Sequence, residues 1–288
     1  MSGIHFTQTH KFMKKVLFLA ALCFAALAQA AEGGALPGKF SIAEGQQVVF
    51  SQGNLQYQPT LDAWRFADHQ YDFVGGTYTQ GNVKYAFDQC NNCNIGPHYD
   101  CWIDLFGWGT GDIPTLASEE AFDYNVFKDW GKNTIMNGGY LGQAWRTLTW
   151  EEWFYLLVSR PNAEQLRGQA TVDKVHGYIL LPDDWQLPKK MKFTPNPNAW
   201  GTNVYSAKDW KKMEAAGAVF LPAGGFRNGH EMSVVGVIGF YWSSTTFMPE
   251  NGGNDEARDF FFSEKRIGPR DHEKRFYGLH VRLVEDVR

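Results

Sequence analysis

Three aromatic runs near the C-terminus constrain this chain more than any other feature. Gly239-Phe-Tyr-Trp-Ser-Ser-Thr-Thr-Phe247 opens the series, and Ala257-Arg-Asp-Phe-Phe-Phe-Ser263 follows after a polar loop. Phe276-Tyr-Gly-Leu-His-Val-Arg-Leu-Val284 closes it after a second turn-rich stretch. Short runs rich in aromatic and β-branched residues, punctuated by Gly, Asn and Pro, read as strands of an antiparallel sheet.

The 288 residues can bury one large core or two modest ones. At 16% aromatic and only 20% charged, with 30 glycines, the chain is a loop-rich globular protein rather than a disordered one. Its 11 tryptophans have two readings: core filling in a fold short of regular elements, or flat faces for stacking on sugars.

The N-terminus reads as an address. Lys14 and Lys15 precede an apolar stretch from Val16 to Leu27, and Ala28-Gln29-Ala30 is a small-x-small cleavage site. The expectation is a signal peptide over 1–30, starting at Met13, followed by a flexible lead over 31–39. Its removal takes three lysines and no acid, which leaves 24 basic against 31 acidic residues. An acidic, secreted, periplasmic or cell-surface chain is a poor partner for nucleic acid. The apolar stretch is too short for an integral membrane span.

Alternation begins at Gln47 and predicts strands on either side of Gly53-Asn54, continuing through Trp64-Arg-Phe-Ala and Tyr71-Asp-Phe-Val. Residues 75–140 keep no period and read as a long loop insertion. Thr149 with Glu152 forms a capping box for a helix that Pro161 ends. Ser206 caps a second helix, Ala207 to Ala216, with Gly217 at its stop. Ala218-Val-Phe-Leu-Pro is then a short buried strand, and one domain over 40–286 is the simplest account.

Trp145-Arg-Thr-Leu-Thr-Trp-Glu-Glu-Trp-Phe-Tyr resembles a helix-opening signature of the formylglycine-generating-enzyme-like superfamily. Arg146, Leu148, Thr149, Glu152, Trp153 and Tyr155 carry the match. With Leu221-Pro-Ala-Gly-Gly-Phe-Arg, Tyr241-Trp-Ser-Ser and Gly278-Leu-His-Val-Arg-Leu-Val, the chain is similar to the Fibrobacter succinogenes major paralogous domain family. That resemblance implies an α+β, C-type-lectin-like fold with short antiparallel strands, two helices and long irregular loops. The active sites of relatives do not transfer. No cysteine follows Cys101, where formylglycine-generating enzymes need a pair. The histidines 69, 98, 176, 230, 272 and 280 lack the clustering of an iron-dependent sulfoxide synthase.

Two groups of residues can carry chemistry. Cys90, Cys93, His98 and Cys101 have Zn²⁺ ligand types, while an oxidising compartment favours a disulfide that joins Cys101 to Cys90 or Cys93. The loop with Glu250, Asn251, Asn254, Asp255 and Glu256 is oxygen-rich enough for Ca²⁺, against a plain solvated turn. The expectation is neither ion. Asp183-Asp184 and Glu151-Glu152 are adjacent acids, and adjacency does not place two carboxylates across a glycosidic bond.

The resulting expectation is a non-catalytic domain that binds carbohydrate or an extracellular protein. Its contact face comprises Trp242, for which a core position is the equal alternative, Asn251, Asn254, Asp255, Glu256, Arg266, Arg270, Asp271 and His272, the last four in a mixed-charge loop over 265–275. A diverged metal-dependent enzyme and a structural or adhesion component are the alternatives.

Overall fold

The computed structural model describes residues 33–75, 90–139, 145–250, 252–253 and 255–288. The signal segment, residues 76–89 of the expected insertion, Asn251 and Asn254 lie outside the described residues.

The architecture is α+β. Phe40–Ala43 (β1) and Gln46–Phe50 (β2) form a hairpin, and Leu55–Gln58 (β3) with Ala63–Phe66 (β4) a second. The alternation around Gly53-Asn54 is therefore two strands, as the sequence predicts. Tyr71 to Val74 corrects that reading: no strand forms there, because Asp72 turns the chain by accepting the backbone N–H of His69.

Thr149 caps helix α1, Trp150–Phe154, through the full capping box, and a π-turn, Tyr155–Ser159, prolongs it. Trp153, Leu156 and Leu157 project into the core; each such burial contributes ~1.5–3 kcal/mol. Arg167–Val172 (β5) and Val175–Leu180 (β6) make a hairpin, extended by Val204–Tyr205 (β7) and by Val219–Pro222 (β8) into the order β7-β5-β6-β8. Helix α2, Ala207–Ala215, is capped by Ser206 and packs Trp210 and Met213 with Val172, Ile179 and Phe220 of that sheet. Gly217 ends it at φ +96°, a conformation open to glycine.

Phe226–Asn228 (β9) pairs with Glu231–Ser233 (β10). Ile238–Phe247 (β11), Glu256–Ser263 (β12) and Ile267–Lys274 (β13) form an antiparallel sheet in sequence order. The mixed-charge loop expected over 265–275 is thus an edge strand. The last run, expected as one strand from Phe276, makes isolated bridges to Arg227, Phe106 and Tyr241. It reaches regular pairing only as Val284–Asp286 (β14), which adds to β2. The ends of the described chain therefore meet in one sheet.

From residue 33 onward the expected flexible lead is tied down: Leu36 is buried and its N–H bonds Phe50 O at 2.8 Å. The described part of the insertion is irregular yet anchored by buried Trp108, Tyr124 and Trp130. Among the described residues no helix is long and apolar enough to cross a membrane.

Candidate functional site

Eight tryptophans, at 64, 108, 130, 145, 153, 200, 210 and 242, are buried, so core filling accounts for most of them. Trp102, Trp150 and Trp185 stay half-exposed. Trp102 stands out because it lines an open groove of about 870 Å³.

The groove is assembled from distant parts of the chain. β3 and β4 supply the buried Gln56 together with the half-exposed Gln58 and Arg65. Segment 100–103 lies beside β3 through two Tyr57–Ile103 backbone bonds, which sets Trp102 next to Arg65. The Arg65 guanidinium sits 4.0 Å from the Trp102 ring centroid and its Nε donates to Gln56 Oε1 at 2.8 Å. Gln58 Nε2 donates to Asp100 O at 2.7 Å. Both contacts hold the indole in place before any ligand arrives.

Tyr71 and Phe73 form a second aromatic side, with Tyr71 stacked on His69 at 5.1 Å. Burial and nearby Asp173, Asp72 and Glu214 raise the Tyr71 hydroxyl, so it remains a neutral donor. His176 lines the groove too; it stacks on Trp200 at an interplanar angle of 7° and its Nδ1 lies 2.9 Å from Gly236 O. The rim is the β5–β6 turn, where Asp173 and Lys174 both take positive φ, as a two-residue hairpin of right-handed twist requires.

Behind the wall, buried Asn92 Oδ1 accepts the N–H groups of Asp104 and Leu105, and its amide donates to Val74 O and Asp104 Oδ1. Asp104 Oδ2 accepts Val74 N–H. Burial pushes the Asp104 carboxyl up to about 7 against those hydrogen bonds. Burial likewise lowers His280 to about 3, so the imidazole is neutral. Asn54 Nδ2 lies 3.3 Å from its Nδ1 and donates to Tyr241 Oη at 3.1 Å. The network is a rigid support: His280, Asp104 and Asn54 are each fully buried.

Cys90 and Cys101 form a disulfide that lines one wall of the groove, and Cys93 is free. The bond takes two of the four Zn²⁺ ligand candidates, and His98 is exposed. No group of three His, Cys, Asp or Glu side chains among the described residues could hold a metal ion.

The expected C-terminal face is not one spot. Trp242 is corrected to a core residue: it is 1% exposed and its Nε1 donates to Phe106 O at 2.7 Å. Asp255 and Glu256 both pair with Lys274, and Glu256 faces His272 at 3.5 Å. The His272 ring lies 3.9 Å from that of Phe247, and Arg270 stacks over Phe154 of α1 at 4.2 Å. Arg266 covers Phe261 at the far end of the β12–β13 hairpin. Asp271 is half-buried on the opposite face of β13 from Arg270 and His272. These side chains are spent on one another and on neighbouring rings.

One acid of each adjacent pair is structural. Asp183 accepts from Ser41, Gln47 and buried Arg160, which together outweigh its partial burial and hold its carboxyl low. Glu152 caps α1 and pairs bidentately with Arg146. No protein-family model, no curated protein and no solved structure matches this chain.

Proposed function

We propose that this protein is a secreted or cell-surface, non-catalytic binding domain of C-type-lectin-like fold that takes a neutral oligosaccharide in the Trp102 groove. The fold reading is supported by the β2–β14 pairing of the two ends, the two helices and the long aromatic-pinned loop region. The observation that carries the ligand reading is one half-exposed indole, preset by Arg65, in an open groove among amides and opposite charges.

A pyranose needs a flat apolar surface for its C–H face and planar hydrogen-bonding groups for its hydroxyls. Trp102, Tyr71 and Phe73 supply the first; Gln56, Gln58 and His176 supply the second. Arg65 and Lys174 face Asp72, Asp100 and Asp173, so no single sign dominates and a polyanion gains little.

Arrays of neutral cello-, xylo-, manno- and chito-oligosaccharides, followed by calorimetry on the best binder, test this. Trp102→Ala should weaken binding about tenfold or more, the equivalent of ~1.4 kcal/mol. Trp185→Ala, a half-exposed indole outside the groove, should leave it unchanged. Binding that survives Trp102→Ala but fails in Arg270→Ala would return the site to the C-terminal face. Turnover of the sugar would favour a diverged enzyme.

A further inference from the structure

The β12–β13 hairpin carries an arrangement that the groove does not use. In its register, Asp259 lies directly opposite Asp271, and Ala257 opposite Glu273. Side chains two apart on a strand share a face, so Asp259, Asp271 and Glu273 all project from one side of the sheet. Directly opposed residues have Cβ atoms ~4.5–5.5 Å apart, and like charges there repel. Asp259 is 1% exposed, and neither of its carboxyl oxygens finds a hydrogen-bond partner on another residue among the described residues.

The surrounding charges do not neutralise it. Arg258, Arg270, His272, Lys274 and Glu256 project from the other face. Arg258 is held there over Trp150 and Phe247, with Glu151 of α1 nearby, and Lys274 by Asp255 and Glu256. Arg266 is exposed over Phe261, and Arg275 lies over Trp108 with its Nε donating to Glu256 O. The β11 residue opposite Asp259 is Trp242, which does not titrate. A buried carboxylate without a partner costs several kcal/mol, so it takes up a proton instead.

We propose that these three carboxyls make the β12–β13 hairpin a proton-gated clasp, docked when they are protonated and releasing its edge strand β13 when they ionise. Among the described residues β13 is the edge of its sheet, so its release breaks strand pairing to β12 alone, together with the Arg270 contact on Phe154 of α1. Burial raises all three, and repulsion from neighbouring carboxylates adds to it at Asp259 and Glu273: Asp259 stands well above the usual carboxylate range, Asp271 is raised against the nearby His272, Arg266 and Arg258, and Glu273 reaches about 7. Glu273 thus ionises near neutral pH, the first step of the release. The gate is independent of what the groove binds.

Hydrogen exchange on the mature protein, at about pH 5.5 and about pH 8 and corrected for intrinsic rates, tests the clasp. The β13 amides should lose roughly tenfold protection at the higher pH relative to those of β6, and Asp259→Asn should abolish that loss. If that variant does not fold, Glu273→Gln should shrink the loss instead. Equal protection at both pH values, or a loss insensitive to these substitutions, overturns the proposal. So does recovery of wild-type protection at about pH 8 on adding millimolar Ca²⁺, which would make the cluster a cation site.

Discussion

His280 and Gly224 show how one residue can dictate another. The imidazole is fully buried and neutral, and a Cβ built on Gly224 would lie 2.0 Å from its Nε2. The glycine is required by the close approach, not by backbone conformation. Gly224→Ala should therefore destabilise the protein by ~2–4 kcal/mol, read from urea unfolding, because the ring has no free volume to enter. A loss below about 0.5 kcal/mol would mean that the His280 ring moves aside to admit the methyl group. The glycine itself is visible in Leu221-Pro-Ala-Gly-Gly, but its reason is not: His280 arrives from a different part of the chain. Trp102 is comparable. In sequence it sits among Tyr99, Ile103, Leu105, Phe106 and Trp108, so no local signal sets it apart from the core aromatics around it.

Elements were legible where their stabilisation is local. The capping box at Thr149, the cap at Ser206 and the Gly217 stop depend on residues within a turn, and all three form. Strand β13 was missed because period-2 alternation is sought as apolar against polar, whereas both faces here are charged: Asp271 and Glu273 on one, Arg270, His272 and Lys274 on the other. The Asp173-Lys174 turn was missed because its sequence lacks the glycine that such turns favour. That omission is testable. Lys174 at φ +72° carries a left-handed cost that glycine does not. Lys174→Gly should stabilise the protein by ~1 kcal/mol in chemical denaturation, and no gain would show that the turn relaxes in solution.

For the molecule as a whole, several raised carboxyls set the direction of its pH dependence. Asp104 and Glu273 stand at about 7, with Asp259 and Asp271 also raised, while unfolded carboxyls titrate at ~4. Between those values the folded chain binds more protons than the unfolded one, so stability falls as pH rises from ~4 to ~7. Asp183 acts oppositely: its lowered carboxyl contributes above the unfolded value and that contribution is lost in stronger acid. Calorimetry should therefore place the highest Tm on the acid side of neutral, and Asp104→Asn should flatten the decline. A Tm that rises steadily to pH 7 contradicts this balance.

The groove draws on β3, β4, the 71–75 and 100–102 segments and the β5–β6 turn, so no short window of sequence contains it. The measurement that tests the account most directly is a nuclear magnetic resonance titration of the mature protein with the best-binding neutral oligosaccharide. The account predicts that shift changes centre on the Trp102 indole N–H, Tyr71, Gln58 and His176, with β13 unaffected. Changes centred on Arg266, Arg270 and His272, or none at saturating sugar, would contradict it.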